Sequence, residues 1–81
     1  MKSFKENTIV IYIWADWPRS FYIPNSLDDV SDIDYKKITK PKKDDLFIVI
    51  DNKPNYSLFY HINQNCFCLV SSIAFQFFQE I

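Results

Sequence analysis

The chain contains no glycine in its 81 residues. Phosphate-cradling loops, dinucleotide fingerprints and nucleophile elbows all need glycine, for positive φ or for close backbone approach. Their standard forms are excluded, and with them the common kinds of ATP, GTP and NAD chemistry, so no cofactor is expected. Positive φ must fall to Asn or Asp, and asparagines stand at positions 7, 25, 52, 55, 63 and 65. Cysteine is scarce too. Cys66 and Cys68, one residue apart, form no disulfide framework, which suits a reducing compartment. Apolar runs such as Thr8 to Ala15 fall far short of the roughly 20 residues of a membrane-spanning helix. The stretch Met1 to Glu6 lacks the apolar core and cleavage site of a signal peptide. Charge of one sign is also lacking: the net value is −1, so no global field draws the chain onto nucleic acid or an anionic membrane. A soluble cytoplasmic protein without a membrane partner is the expectation.

What the chain has instead is aromatic bulk. Aromatic residues make up 19% of it, and their large buried area offsets the thin core of so short a domain. Ile, Lys, Asn, Phe and Tyr are abundant, and their AT-rich codons suggest a bacterial or phage genome of low GC content.

The pattern predicts one α+β domain over residues 1–81: a mainly antiparallel sheet of four or five strands with two helices. Thr8 to Ala15, apolar on both alternate faces, reads as a buried central strand. Phe21 to Ile23 reads as a short returning strand. Ser26 is a candidate N-cap for a helix over roughly 27 to 36, with Asp28 and Asp29 in its first turn. Lys36 to Asp45 reads as a polar connection. Leu46 to Ile50, Tyr56 to Ile62 and Cys66 to Val70 form a three-stranded meander. A final helix follows, capped by Ser71 or Ser72, with Ile73, Ala74, Phe77, Phe78 and Ile81 at helical spacing.

Loop lengths predict the register of the meander. A five-residue loop pairs Ile48 with Leu58, and a three-residue turn pairs Tyr60 with Cys68 and Leu58 with Val70. Leu46, Ile48, Ile50, Leu58, Tyr60, Ile62, Cys66, Cys68 and Val70 then form the core face. The opposite face carries Phe47, Val49, Ser57, Phe59, His61, Phe67 and Leu69, which is too apolar for plain solvent exposure. Either another element covers it, or it is a patch for a protein partner or for self-association.

Other chemistry is sparse. Cys66, Cys68 and His61 supply at most three ligands, and the predicted register splits them between faces, so no metal is expected; an even-length turn would put His61 on the face of Cys68. The single histidine has no acid placed near it for a catalytic set. Asp16, at a strand end, is a lone carboxylate. Trp14-Ala15-Asp16-Trp17 is similar to the approach to the redox cysteines of thioredoxins, but Pro18, Arg19, Ser20 and Phe21 follow where those thiols would stand. The likeness covers those four residues and the hairpin and terminal helix expected over residues 46–81, and it implies no redox function here.

The expected function is a small non-enzymatic protein-binding module of the inhibitor or immunity type. Its candidate contacts are Trp14, Trp17, Arg19, Phe47, Phe59, His61 and Phe67, with the acidic Asp28, Asp29 and Asp32, because Trp, Tyr and Arg dominate binding hot spots. The alternative is a nucleic-acid-binding module that uses the lysines between Lys36 and Lys43 together with aromatics on the sheet.

Overall fold

A computed structural model describes residues 2–14 and 19–81. The architecture corrects the α+β expectation. The described residues form one antiparallel sheet of seven strands, and the longest helical segment among them is a six-residue 3-10 turn, Ser72–Phe77. The strands are β1 Ile9–Tyr12, β2 Phe21–Pro24, β3 Ile33–Thr39, β4 Leu46–Asn52, β5 Tyr56–His61, β6 Cys66–Ser71 and β7 Phe78–Glu80. They lie in the order β3-β2-β6-β5-β4-β1-β7.

The sheet is strongly curled. Strands β2 and β7 are five places apart, about 24 Å on a flat sheet at ~4.8 Å per strand. Yet the ring of Phe21 on β2 lies 5.8 Å from that of Phe78 on β7. The curl encloses an inner face of Val10, Tyr12, Phe21, Phe47, Val49, Phe59, Cys68, Val70 and Phe78, all buried. Phe4 from the N-terminal segment and Phe75 and Phe77 from the 3-10 turn complete this core. Lys2 Nζ donates to the Phe78 carbonyl (2.7 Å) and Asn52 Nδ2 to that of Phe4 (2.7 Å), which ties the segment in place.

Neither expected helix exists. Residues 25 to 32 form a turn in which short polar side chains take the backbone N–H groups that a helix would use. Asp28 N–H donates to Ser26 Oγ (3.2 Å), and Ser31 N–H to Asp29 Oδ1 (3.1 Å). Ser26 therefore accepts as a cap would, but Val30, Ile33 and four nearby aspartates have poor helix propensity, and the chain extends into β3. That strand absorbs Lys36 and Lys37, which were expected in a loop.

At the C-terminus, Phe78 continues as a strand because β1 needs partners: Val10, Ile11 and Tyr12 pair with Glu80, Gln79 and Phe78. As a strand residue Phe78 drops between the rings of Tyr12 (5.3 Å), Phe47 (5.0 Å) and Phe59 (5.1 Å). The anticipated helical stripe would have buried Ile73 and Ile81, which are 76% and 73% exposed. Strand β1 is second from the edge rather than central, and Ile9 on its outer side is exposed.

The hairpin registers decide which face is inside. In β4 and β5, Ile48 pairs with Tyr60 and Phe47 with His61; an irregularity between Val49 and Asp51 then accommodates Ile50. In β5 and β6, His61 pairs with Cys66 and Phe59 with Cys68, around a four-residue connection rather than three. That connection ends at Asn65 with φ 54°, and positive φ otherwise occurs among the described residues only at Asn7 and Asp44. The extra residue turns the predicted faces of β6 over. Phe47, Val49, Phe59 and His61 join Cys68 and Val70 inside, while Phe67 and Leu69 go outside with Ile48 and Tyr60.

One edge is irregular. Tyr22 pairs with Ile38 and Pro24 with Ile33, so four residues, 34 to 37, stand opposite the single Ile23. Within that excess, Lys36 N–H donates to the Asp34 side chain (3.0 Å).

Candidate functional site

The one histidine is wholly buried between two polar side chains. His61 Nε2 lies 2.7 Å from Asp45 Oδ2, and Nδ1 lies 2.8 Å from Thr39 Oγ1. A carboxylate only accepts, so Nε2–H donates to Asp45; in the neutral ring Nδ1 then accepts from the Thr39 hydroxyl. The Phe47 ring stacks on the imidazole at 4.1 Å with planes 13° apart. Asp45 also accepts the Lys42 backbone N–H (3.0 Å) and so closes the turn after β3. Hydroxyl, imidazole and carboxylate stand in the order of a nucleophilic triad. However, Thr39, His61 and Asp45 are 5%, 0% and 8% exposed, which leaves no room for a substrate beside them. What the trio does is join the β3 end and the 40–45 loop to β5 across the core. Sequence reasoning missed Thr39 because β3 reaches His61 only through the curl of the sheet, whereas Asp45 was legible, two residues before the Phe47 that pairs with His61. The available signal was a lone histidine on an aromatic face, which in a folded core must find polar partners.

Buried thiol chemistry is equally closed. Cys68 has no exposure, and burial, reinforced by neighbouring Cys66, pushes its thiol well above the usual range. His61 and Cys68 do share a face, as an even-length turn implies, but no cluster of three or more metal-ligating side chains is present among the described residues.

The predicted contact residues separate into distinct places. Phe47, Phe59 and His61 are core residues with no exposure, and this corrects their assignment to a binding surface. Phe67 is half-buried on the outer face, where its ring meets Tyr60 at 4.9 Å. Trp14 and Arg19 come together at one end of the core: the Trp14 ring lies 4.9 Å from Phe77, and Arg19 Cζ lies 4.0 Å from the same ring. Burial raises the nearby Tyr12 phenol above its usual range, and the positive charge of Arg19 partly offsets this. Trp17 and Asp16 lie outside the described residues. Asp28, Asp29 and Asp32 are exposed on the loop between β2 and β3.

The outer face offers the candidate site. Its cross-strand rows are apolar: Ile38, Tyr22, Leu69 and Leu58 in one, and Phe67, Tyr60, Ile48 and Ile9 in the next. Leu58 is buried yet stands apart from the core cluster, because its neighbours on this face cover it. Tyr35 reaches over from β3 to meet Tyr22 edge-on at 5.1 Å. Between the 25–32 loop and the ends of β5 and β6 lies a groove of about 400 Å³, lined by Tyr22, Val30, Ser31, Ile33, Tyr56, Leu69 and Ser71. No tyrosine of this groove had been singled out from the sequence, because its walls come from four separate segments.

Comparison of the chain with family models, characterised proteins and solved structures returned no match.

Proposed function

We propose that the chain is a protein-binding module that meets its partner through the outer face of the curled sheet. The observation that carries this reading is the apolar groove and the rows beside it, on the face that neither the N-terminal segment nor the 3-10 turn packs against. Two tyrosines there, Tyr22 and Tyr35, are exposed, and such rings combine a large contact area with few rotamers to freeze. Burial of the only histidine, with its carboxylate and hydroxyl partners, supports a binding role over a catalytic one. The inhibitor or immunity type remains the form of module proposed, one that acts by occupying its target. Trp14 over Phe77, flanked by Arg19, forms a second contact patch.

A specific observation also favours nucleic acid. Lys36 and Lys37 lie on β3, the strand that carries Tyr35 and adjoins Tyr22, an arrangement akin to a basic stacking platform. The adjacent loop weakens it. Lys37 Nζ donates to Asn25 Oδ1 (2.8 Å), and Asn25 in turn donates to Asp32 Oδ1 (3.3 Å), so carboxylates stand among the lysines and oppose a phosphate backbone.

The test is affinity capture from cell extract with the wild type, Tyr22→Ser and Tyr35→Ser. A protein retained by the wild type and lost from the outer-face variants supports the reading; equal retention overturns it. Binding of a single-stranded oligonucleotide that falls steeply with salt would establish the nucleic-acid reading instead.

A further inference from the structure

The walls of the groove differ in charge, and this difference specifies what fills it. Its floor and one side are apolar: Tyr22, Leu69, Tyr56 and Ile33. The other side is the 25–32 loop, whose Val30 and Ser31 line the groove between Asp28, Asp29 and Asp32. None of these three carboxylates forms an ion pair among the described residues. The lysine that reaches the loop, Lys37, meets the amide of Asn25 instead. Across the groove, in the turn before Tyr56, Lys53 is already paired with Asp51 (3.1 Å). The groove therefore presents an apolar slot beside a loop whose three exposed carboxylates outnumber the one lysine that reaches it, at a volume within the ~300–1,000 Å³ of ordinary ligand sites.

We infer that this groove receives an apolar side chain of a partner polypeptide flanked by lysine or arginine. The inference rests on the outer-face reading above and adds the chemistry of the partner. An acidic flank would meet like charge in a half-solvated site, and a neutral one would leave the loop's excess of negative charge unmet. The apolar anchor supplies the affinity and the basic flank selects the partner and speeds encounter, so binding weakens severalfold with added salt but does not vanish.

The 81-residue chain, immobilised, is used to select from a random dodecapeptide display library, and the enriched peptides are then synthesised. Each is titrated against the wild type, Tyr22→Ser, Leu69→Ser and the triple variant Asp28→Asn/Asp29→Asn/Asp32→Asn, with thermal unfolding confirming that every variant folds. The expected result is enrichment of peptides with an apolar residue next to Lys or Arg. Their binding should drop about tenfold or more in the groove variants, a loss typical of an anchor residue, and severalfold in the triple variant. Groove-dependent peptides without a basic bias would overturn the charge inference while leaving the outer-face reading intact. Enrichment that ignores both groove substitutions would overturn the two together. A concentration-dependent dimer abolished by Tyr22→Ser would place a second copy in the groove and overturn the proposed occupant.

Discussion

The two faces of this sheet are built from similar residues and have opposite fates. Inside are Phe47, Phe59, Phe78, Val10, Val49 and Val70; outside are Tyr22, Tyr60, Phe67, Ile9, Ile48 and Leu69. Hydrophobicity alone does not separate these sets. What separates them is curvature, because the concave side brings rings from β1, β2, β4, β5 and β7 within 5 to 6.4 Å of one another, as Phe78 does with Tyr12 and Phe21 with Phe47. The convex side spreads its residues apart and leaves tyrosines at the surface. Phenols tolerate that position, since the ring covers its neighbours while the hydroxyl stays wet.

The sharpest way to break this comparison is matched truncation. Phe59→Ala should cost about 3–5 kcal/mol, a large share of the stability of a chain this size. Phe67→Ala should cost about 1 kcal/mol, since that ring is only half-buried. Urea unfolding of both reads the difference, and equal losses would erase the distinction between the faces.

The next largest effect concerns the buried polar trio. Asp45→Ala leaves the His61 Nε2–H unpaired inside the core and should cost roughly 2–3 kcal/mol, against about 1 kcal/mol for Thr39→Val. In a double-mutant cycle with His61→Phe, the Asp45→Ala penalty should shrink, because the stranded donor has gone. An undiminished penalty would mean that Asp45 acts only through its bond to the Lys42 N–H.

Alkaline pH gives a smaller and sign-definite effect. Burial raises the Cys68 thiol and the Tyr12 phenol. Unfolded, these groups ionise near ~8.5 and ~10; folded, they hold their protons higher. Below pH ~8.5 neither changes the balance, and above it the unfolded state gains. Stability should fall by up to about 1.4 kcal/mol per pH unit for each group, and Cys68→Val should remove the thiol share. Native-state titration with a thiol reagent should modify half-buried Cys66 and spare Cys68 until unfolding.

The smallest effect belongs outside. Tyr35→Ser should change stability by no more than about 0.5 kcal/mol while altering partner capture, and a larger loss would mean that Tyr35 is structural.

Much of the sheet was legible in the sequence. β4, β5 and β6 stand where the alternation and turn residues put them, and positive φ falls to Asn and Asp as the absence of glycine requires, at Asn7, Asp44 and Asn65 among the described residues. The partition of β4 and β5 between faces was also correct, because slipping that hairpin by two residues preserves parity. Which side became the core was not legible. It turned on one residue in the Ile62–Asn65 connection and on a curl set by all seven strands together. The first helix failed for a local reason, because Asp29 and Asp34 side chains take nearby backbone N–H groups; the second failed for a long-range one, because Phe78 gains more from β1 and the core than from a helical stripe. Of the candidate site, the acidic residues and Phe67 had been named as expected contacts, whereas a groove assembled from four segments leaves no trace in spacing.

The irregular stretch of β3 has a consequence for how molecules of this protein treat one another. An open sheet offers its last strand as a template on which further strands could stack without end. Here that strand bulges by several residues, carries Lys36 and Lys37, and spends one amide on the side chain of Asp34. A neighbouring chain would find neither a straight rail of donors and acceptors nor an uncharged approach, so polymer growth from this edge is discouraged without any covering helix.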